Sequence, residues 1–85
     1  MEIEYAVKAL QDFDFWKKSG KTIIQKKISD LIEDIEKTPF TGIGKPEGLK
    51  HNYTGYWSRR INDKNRIIYK VTENVIYIAS LKGHY

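Results

Sequence analysis

Residues 56–81 read YWSRRINDKNRIIYKVTENVIYIASL, and the punctuation of this stretch decides the fold. Three runs rich in β-branched and aromatic residues stand at 56–61, 66–71 and 75–81, separated by NDKN at 62–65 and TEN at 72–74. Polar connections this short join neighbouring antiparallel strands, so the three runs predict a meander of hairpins. Upstream, KTIIQKKISDLIEDIEK at 21–37 sets Ile24, Ile28, Leu31 and Ile35 at steps of four, three and four. That spacing predicts an amphipathic helix with its charges on the opposite face, closed by Thr38-Pro39. VKALQDFDFWKKS at 7–19 carries Val7, Leu10 and Phe13 every three residues, with Trp16 next in step, and predicts a second such helix. SGK at 19–21 breaks the two apart. EIEYA at 2–6 alternates polar and apolar residues and predicts a short first strand.

The stretch 38–52, TPFTGIGKPEGLKHN, is of another kind. Two prolines and three glycines fall within ten residues, so neither helix nor strand is expected there. The order is therefore β-α-α-β-β-β, with room for one more strand. This is an α+β domain over residues 1–85, with a two-helix hairpin packed on one face of a twisted antiparallel sheet. The other face is left free for function.

Composition narrows the class. Eighty-five residues, 40% hydrophobic and 31% charged, suit one small soluble domain. There is no cysteine, which excludes disulfides and thiolate metal sites and is compatible with a reducing cytosol. No apolar run approaches the ~20 residues that span a bilayer, and MEIEYAV has acids where a signal peptide has bases. A cytoplasmic protein with no membrane partner is expected. Charge is uneven. Residues 1–47 hold eight lysines against nine acids, whereas residues 48–85 hold seven Lys or Arg against Asp63 and Glu73. A concentrated basic surface suits a polyanion such as nucleic acid.

The reactive residues fit one chemistry better than others. His51 and His84 lie far apart with no carboxylate paired locally to either, so no metal site is expected, nor any cofactor. GIGKPEG at 42–48 follows a helix and is broken by proline, which argues against a nucleotide-cradling loop. What remains is a set suited to phosphodiester cleavage: Glu47 as base, Lys50, Arg59 or Arg60, and Arg66 as phosphate cations, and His84 as acid. Without a metal the natural substrate is RNA, whose own 2′-hydroxyl can attack. His51 reads as a surface histidine, and Tyr56 and Trp57 as packing residues.

TPFTGIGKPEGLKHN at 38–52, GYWSRRI at 55–61, the Arg66, Tyr69 and Val71 pattern, and the closing His84-Tyr85 occur in order and at familiar spacing. Together they resemble the YoeB branch of the RelE superfamily, toxins of bacterial type II toxin–antitoxin pairs, over nearly the whole length. The resemblance implies a ribosome-dependent endoribonuclease that cuts translated mRNA in the decoding site and so inhibits translation. It places the base on Glu47, the phosphate-binding arginine on Arg66 and the acid on His84. It places substrate contacts on Tyr85, Lys50 and Arg60, with neighbouring Arg59 kept as a further candidate. It also implies an antitoxin of the Phd/YefM type, with DNA contacted only through that complex. A homodimer is open to it, with aromatics such as Trp16 and Tyr53 available for an interface. One departure is Gly48, where relatives often carry proline; it removes no reactive group. The rival reading is a non-catalytic module that binds RNA, the ribosome or a partner protein.

Overall fold

The computed structural model describes residues 1–83. Its elements are β1 (Glu2–Tyr5), α1 (Val7–Ser19), α2 (Thr22–Lys37), β2 (Glu47–Gly48), a 3-10 turn (His51–Tyr53), β3 (Trp57–Arg60), β4 (Arg66–Thr72) and β5 (Val75–Ser80). The expected α+β architecture is present, and the optional extra strand is β2. Among the described residues, no helix is long and apolar enough to cross a membrane.

The meander forms as its turns dictate. Strands β3, β4 and β5 pair antiparallel in sequence order. The β4–β5 turn is tight, with Glu73 in the left-handed region at φ 46° and Thr72 paired to Val75. A bulge opposite Ile68 and Tyr69 leaves Ala79 as the extra residue. The full order is β1-β5-β4-β3-β2, and here the sheet departs from an all-antiparallel one: β1 runs parallel to β5. Short turns report only pairs adjacent in sequence. The neighbour of β1 is chosen across the whole helical pair and meander, which no local signal encodes.

Helix α2 buries Ile28, Leu31, Ile32 and Ile35 against the sheet, with Ile24 half-buried beside them. Helix α1 corrects its sequence reading. Val7, Leu10 and Phe13 are exposed, and the buried residues are Ala9, Asp12 and Trp16. The contacting face is turned by about one residue, roughly 100°. Polar bonds explain it. The Trp16 indole donates to the Leu81 carbonyl at 2.9 Å. The Asp12 carboxylate accepts from the Leu81 amide at 3.0 Å and from Lys8 Nζ at 2.7 Å. These bonds fasten α1 to the end of β5, and a stripe of apolar residues cannot reveal them. Trp16 is therefore a core residue, not an interface candidate. Tyr53 is exposed, as expected.

The loop at 38–52 also holds more structure than its glycines and prolines suggested. Glu47 and Gly48 pair with Ser58 and Trp57, and the Leu49 amide bonds the Tyr56 carbonyl at 2.9 Å. Pro46 stands just before the strand, where its missing N–H interrupts no ladder.

Alternation sorts the strand residues between two faces. Ile3, Tyr5, Trp57, Ile67, Tyr69, Val71, Ile76 and Ile78 belong to the core beneath the helices. Their neighbours Glu2, Glu4, Ser58, Arg60, Arg66, Lys70 and Tyr77 then point to the other, uncovered face. Glu47, opposite Ser58, joins that face.

Candidate active site

The uncovered face gathers the reactive groups where β2, β3 and β4 lie side by side. Ser58 is the hinge of the arrangement. It sits directly across from Glu47 on β2 and across from Ile68 on β4. Its hydroxyl accepts a hydrogen bond from Arg66 Nη1 at 3.2 Å, and it is itself buried. Arg60 is exposed and paired in register with Arg66, so two arginines share the face of Glu47, on the two strands next to β2. The site thus joins a carboxylate able to accept a proton with cations able to hold a phosphate. Ser58 was missed in the sequence reading. Its alternation with Trp57 and Arg59 was the available signal, since it puts Ser58 on the same side as Arg60.

Glu47 is held from behind. Arg60 N–H donates to the Gly44 carbonyl at 2.7 Å, which ties the loop to β3 just before Glu47. Gly44 adopts φ 80°, and a Cβ there would meet Leu31 Cδ2 at 2.8 Å and the Arg60 carbonyl at 3.2 Å. Gly42 adopts φ 120°, and a Cβ there would collide with the Asp34 carboxylate. Both glycines let the loop pass flat against α2 and β3.

Arg59 corrects an expectation. It is not available to substrate, because it is fully buried on the helix side. Its guanidinium donates to Asp34 Oδ2 at 2.5 Å and to the carbonyls of Thr38 at 2.6 Å, Thr41 at 2.8 Å and Ile43 at 3.2 Å. Its Nε donates to the Tyr69 hydroxyl at 3.1 Å, and that hydroxyl donates to the Pro39 carbonyl at 2.6 Å. One side chain therefore joins α2, the loop and β4. Strand alternation forces the outcome: with Trp57 facing the core, Arg59 faces it too, and burial of the charge requires a partner such as Asp34. The hydrogen bond from Arg59, then that from the Ile43 amide, holds the Asp34 carboxyl below its ordinary pKa. Burial pushes the Tyr69 hydroxyl above its ordinary value, opposed by Arg59.

The other expected residues divide. Lys50 is exposed at the start of the 3-10 turn, two residues past β2. His51 is exposed as expected, and Trp57 packs against the core and Phe40. His84 and Tyr85 lie outside the described residues. Gly83 is fixed beside the site: the Arg66 amide donates to its carbonyl at 2.8 Å, and its own amide donates to Asn65 Oδ1 at 2.9 Å.

Comparison with known proteins bears on the whole chain. Residues 5–85 match the family model described as a YoeB-like toxin of bacterial type II toxin-antitoxin system. Toxin YoeB of Escherichia coli strain K12 is 44% identical over 85 residues, covering all of both chains. Among solved structures, a YoeB/ParE toxin from Agrobacterium tumefaciens superposes with a TM-score of 0.95 at 36% identity, covering all of both chains. A YoeB chain from a Staphylococcus aureus YoeB-YefM complex superposes with a TM-score of 0.90 at 42% identity, over all of this chain and 98% of that one. The family match, the sequence identity and the backbone superposition agree, and this chain belongs to the YoeB-like toxins of bacterial type II toxin–antitoxin systems.

Proposed function

We propose that this toxin is an endoribonuclease that cuts translated messenger RNA in the ribosomal A site. The observation that carries the reading is the meeting of Glu47 and Arg66 at Ser58 on the face the helices leave uncovered. Glu47 takes the proton of a ribose 2′-hydroxyl, and the freed oxygen attacks the adjacent phosphorus. The phosphorus–O5′ bond breaks, and the His84 imidazolium protonates the departing oxygen. The products are a 2′,3′-cyclic phosphate and a 5′-hydroxyl, and no external water or oxidant enters. Arg66 and Arg60 hold the phosphate as its charge develops. Lys50 adds positive charge, and Tyr85 orients the substrate nucleotide. The tie between Gly83 and the Arg66 amide supports this reading, since it fixes the residue next to His84 beside the phosphate-binding arginine.

An antitoxin of the YefM type is the proposed protein partner, by analogy with the Staphylococcus aureus complex. Operator DNA is then met through that antitoxin. The working compartment is the cytoplasm, where translating ribosomes are. The decisive experiment induces the protein in growing bacteria and maps new message ends. Breaks within translated codons, with cyclic phosphate on the upstream fragment, are expected. Growth arrest with intact messages would favour a non-catalytic ribosome-binding module instead.

A further inference from the structure

The uncovered face extends beyond Glu47, Ser58 and Arg66. One strand row further along lies a group that the cleavage chemistry does not use. Lys70 of β4 pairs in register with Tyr77 of β5, and Tyr56 just before β3 continues the same row. The Lys70 ammonium stands 5.0 Å from the Tyr56 ring centroid and 5.4 Å from that of Tyr77. All three side chains are half-buried, and none belongs to the core beneath the helices.

We infer that Tyr56, Lys70 and Tyr77 form a stacking subsite for a base of single-stranded RNA, one nucleotide along from the scissile linkage. This inference deepens the proposed nuclease reading and rests on it. Residues two apart on a strand are about 7 Å apart, within reach of one nucleotide step. Arg66 lies four residues from Lys70 on β4, but its guanidinium reaches back to Ser58 of β3, two residues from Tyr56, so a phosphate held there leaves the next base over the tyrosine row. Tyrosine faces bind bases of any sequence, and a cation between two rings holds them in place before the ligand arrives.

The neighbouring charges favour a base over an acidic peptide. Glu4 of β1 is paired in register with Tyr77, and Glu2 lies two residues before it on the same face. These carboxylates border the tyrosine row on the side away from the arginines. An acidic side chain placed beside Glu4 and Glu2 would be repelled there, against the attraction of Lys70 at the centre of the row. A neutral base would not be, while its own phosphate stays on the arginine side. The sheet thus sorts a nucleotide into its charged and uncharged parts.

The test uses the full chain and ribosomes programmed with an AAA codon in the A site. A 2′-O-methyl group on each ribose of that codon blocks cleavage, so binding is read alone; unmodified message reads cleavage in parallel. Tyr77→Ala is expected to weaken binding to the blocked complex by about 5- to 100-fold, with KM for cleavage rising in step. Tyr77→Phe retains binding, because the ring is kept. Replacing one base that flanks the scissile linkage by an abasic site weakens the parent by the same factor and leaves Tyr77→Ala no weaker than before. Tyr56→Ala, outside the strands, repeats the test should the Tyr77 variant fold poorly. Equal losses on intact and abasic messages would overturn the subsite. So would parent-level binding by both variants, weakening of an antitoxin complex alone, or a parent that does not bind the blocked ribosome. A parent that binds but leaves unmodified message whole overturns the nuclease reading separately.

Discussion

Arg59 and Arg60 are adjacent, identical in chemistry and opposite in fate. Arg59 is fully buried and has hydrogen-bonded partners on α2, the loop and β4. Arg60 is exposed on the uncovered face, beside Arg66 in the neighbouring strand. A rotation of one residue along β3 separates a structural cation from one open to a ligand. The difference teaches that basic residues in a strand cannot be pooled into a single binding surface. Half of them face the wrong way, and any that do so must find acceptors.

The sharpest way to break the comparison is to remove each arginine in turn. Arg59→Ala empties the space of a fully buried side chain and leaves several loop carbonyls without their donor, and is expected to cost about 2–5 kcal/mol of stability. Arg60→Ala is expected to stay within about 0.5 kcal/mol of the parent while weakening message cleavage. Urea unfolding of both variants measures this directly, and equal destabilisation would erase the distinction. Glu47→Gln keeps the shape of the site and removes the proposed base. Cleavage is expected to fall about 10²- to 10⁴-fold with an unchanged unfolding midpoint, and single-turnover rates on programmed ribosomes give the factor. Ser58→Ala frees the Arg66 guanidinium from its anchor. A loss of about tenfold in cleavage is expected, the equivalent of one ordinary hydrogen bond, and Ser58→Thr should restore part of it.

The smallest effect is a dependence on pH. In the folded protein the Asp34 carboxyl lies below its ordinary value because of Arg59. The unfolded chain therefore binds the proton more readily. The contribution is fully present above the ordinary carboxylate value of about 4. It is lost as pH falls through that value towards the folded one. Asp34→Asn should flatten this part of the acid limb in a series of urea midpoints between neutrality and pH 3, and an unchanged slope would contradict it.

The fold was legible in the sequence where its signals were local. The turns at 62–65 and 72–74 announced the meander, and the stripe from Ile24 to Ile35 found the buried face of α2. The stripe of Val7, Leu10 and Phe13 misled, because α1 is seated by Asp12 and Trp16 bonding to the backbone of Leu81. No periodicity encodes a bond between residues so far apart in sequence. The parallel pairing of β1 with β5 was hidden for the same reason. The site was partly legible. Glu47 and Arg66 do reach one face, but Arg59 was grouped with the substrate cations although the alternation of Trp57 with Ser58 already set it on the other side. Only tertiary structure supplies its partner Asp34 on α2.

The guanidinium of Arg59 has one more consequence. A segment with five punctuating residues between 39 and 48 would ordinarily open and close independently of its domain. Here detachment of residues 38–43 would take three carbonyl acceptors at once from a buried guanidinium, which couples opening of the loop to the interior. Amide exchange at Ile43, whose N–H is bonded to Asp34 at 3.0 Å, should accordingly keep pace with global unfolding and not with surface fraying.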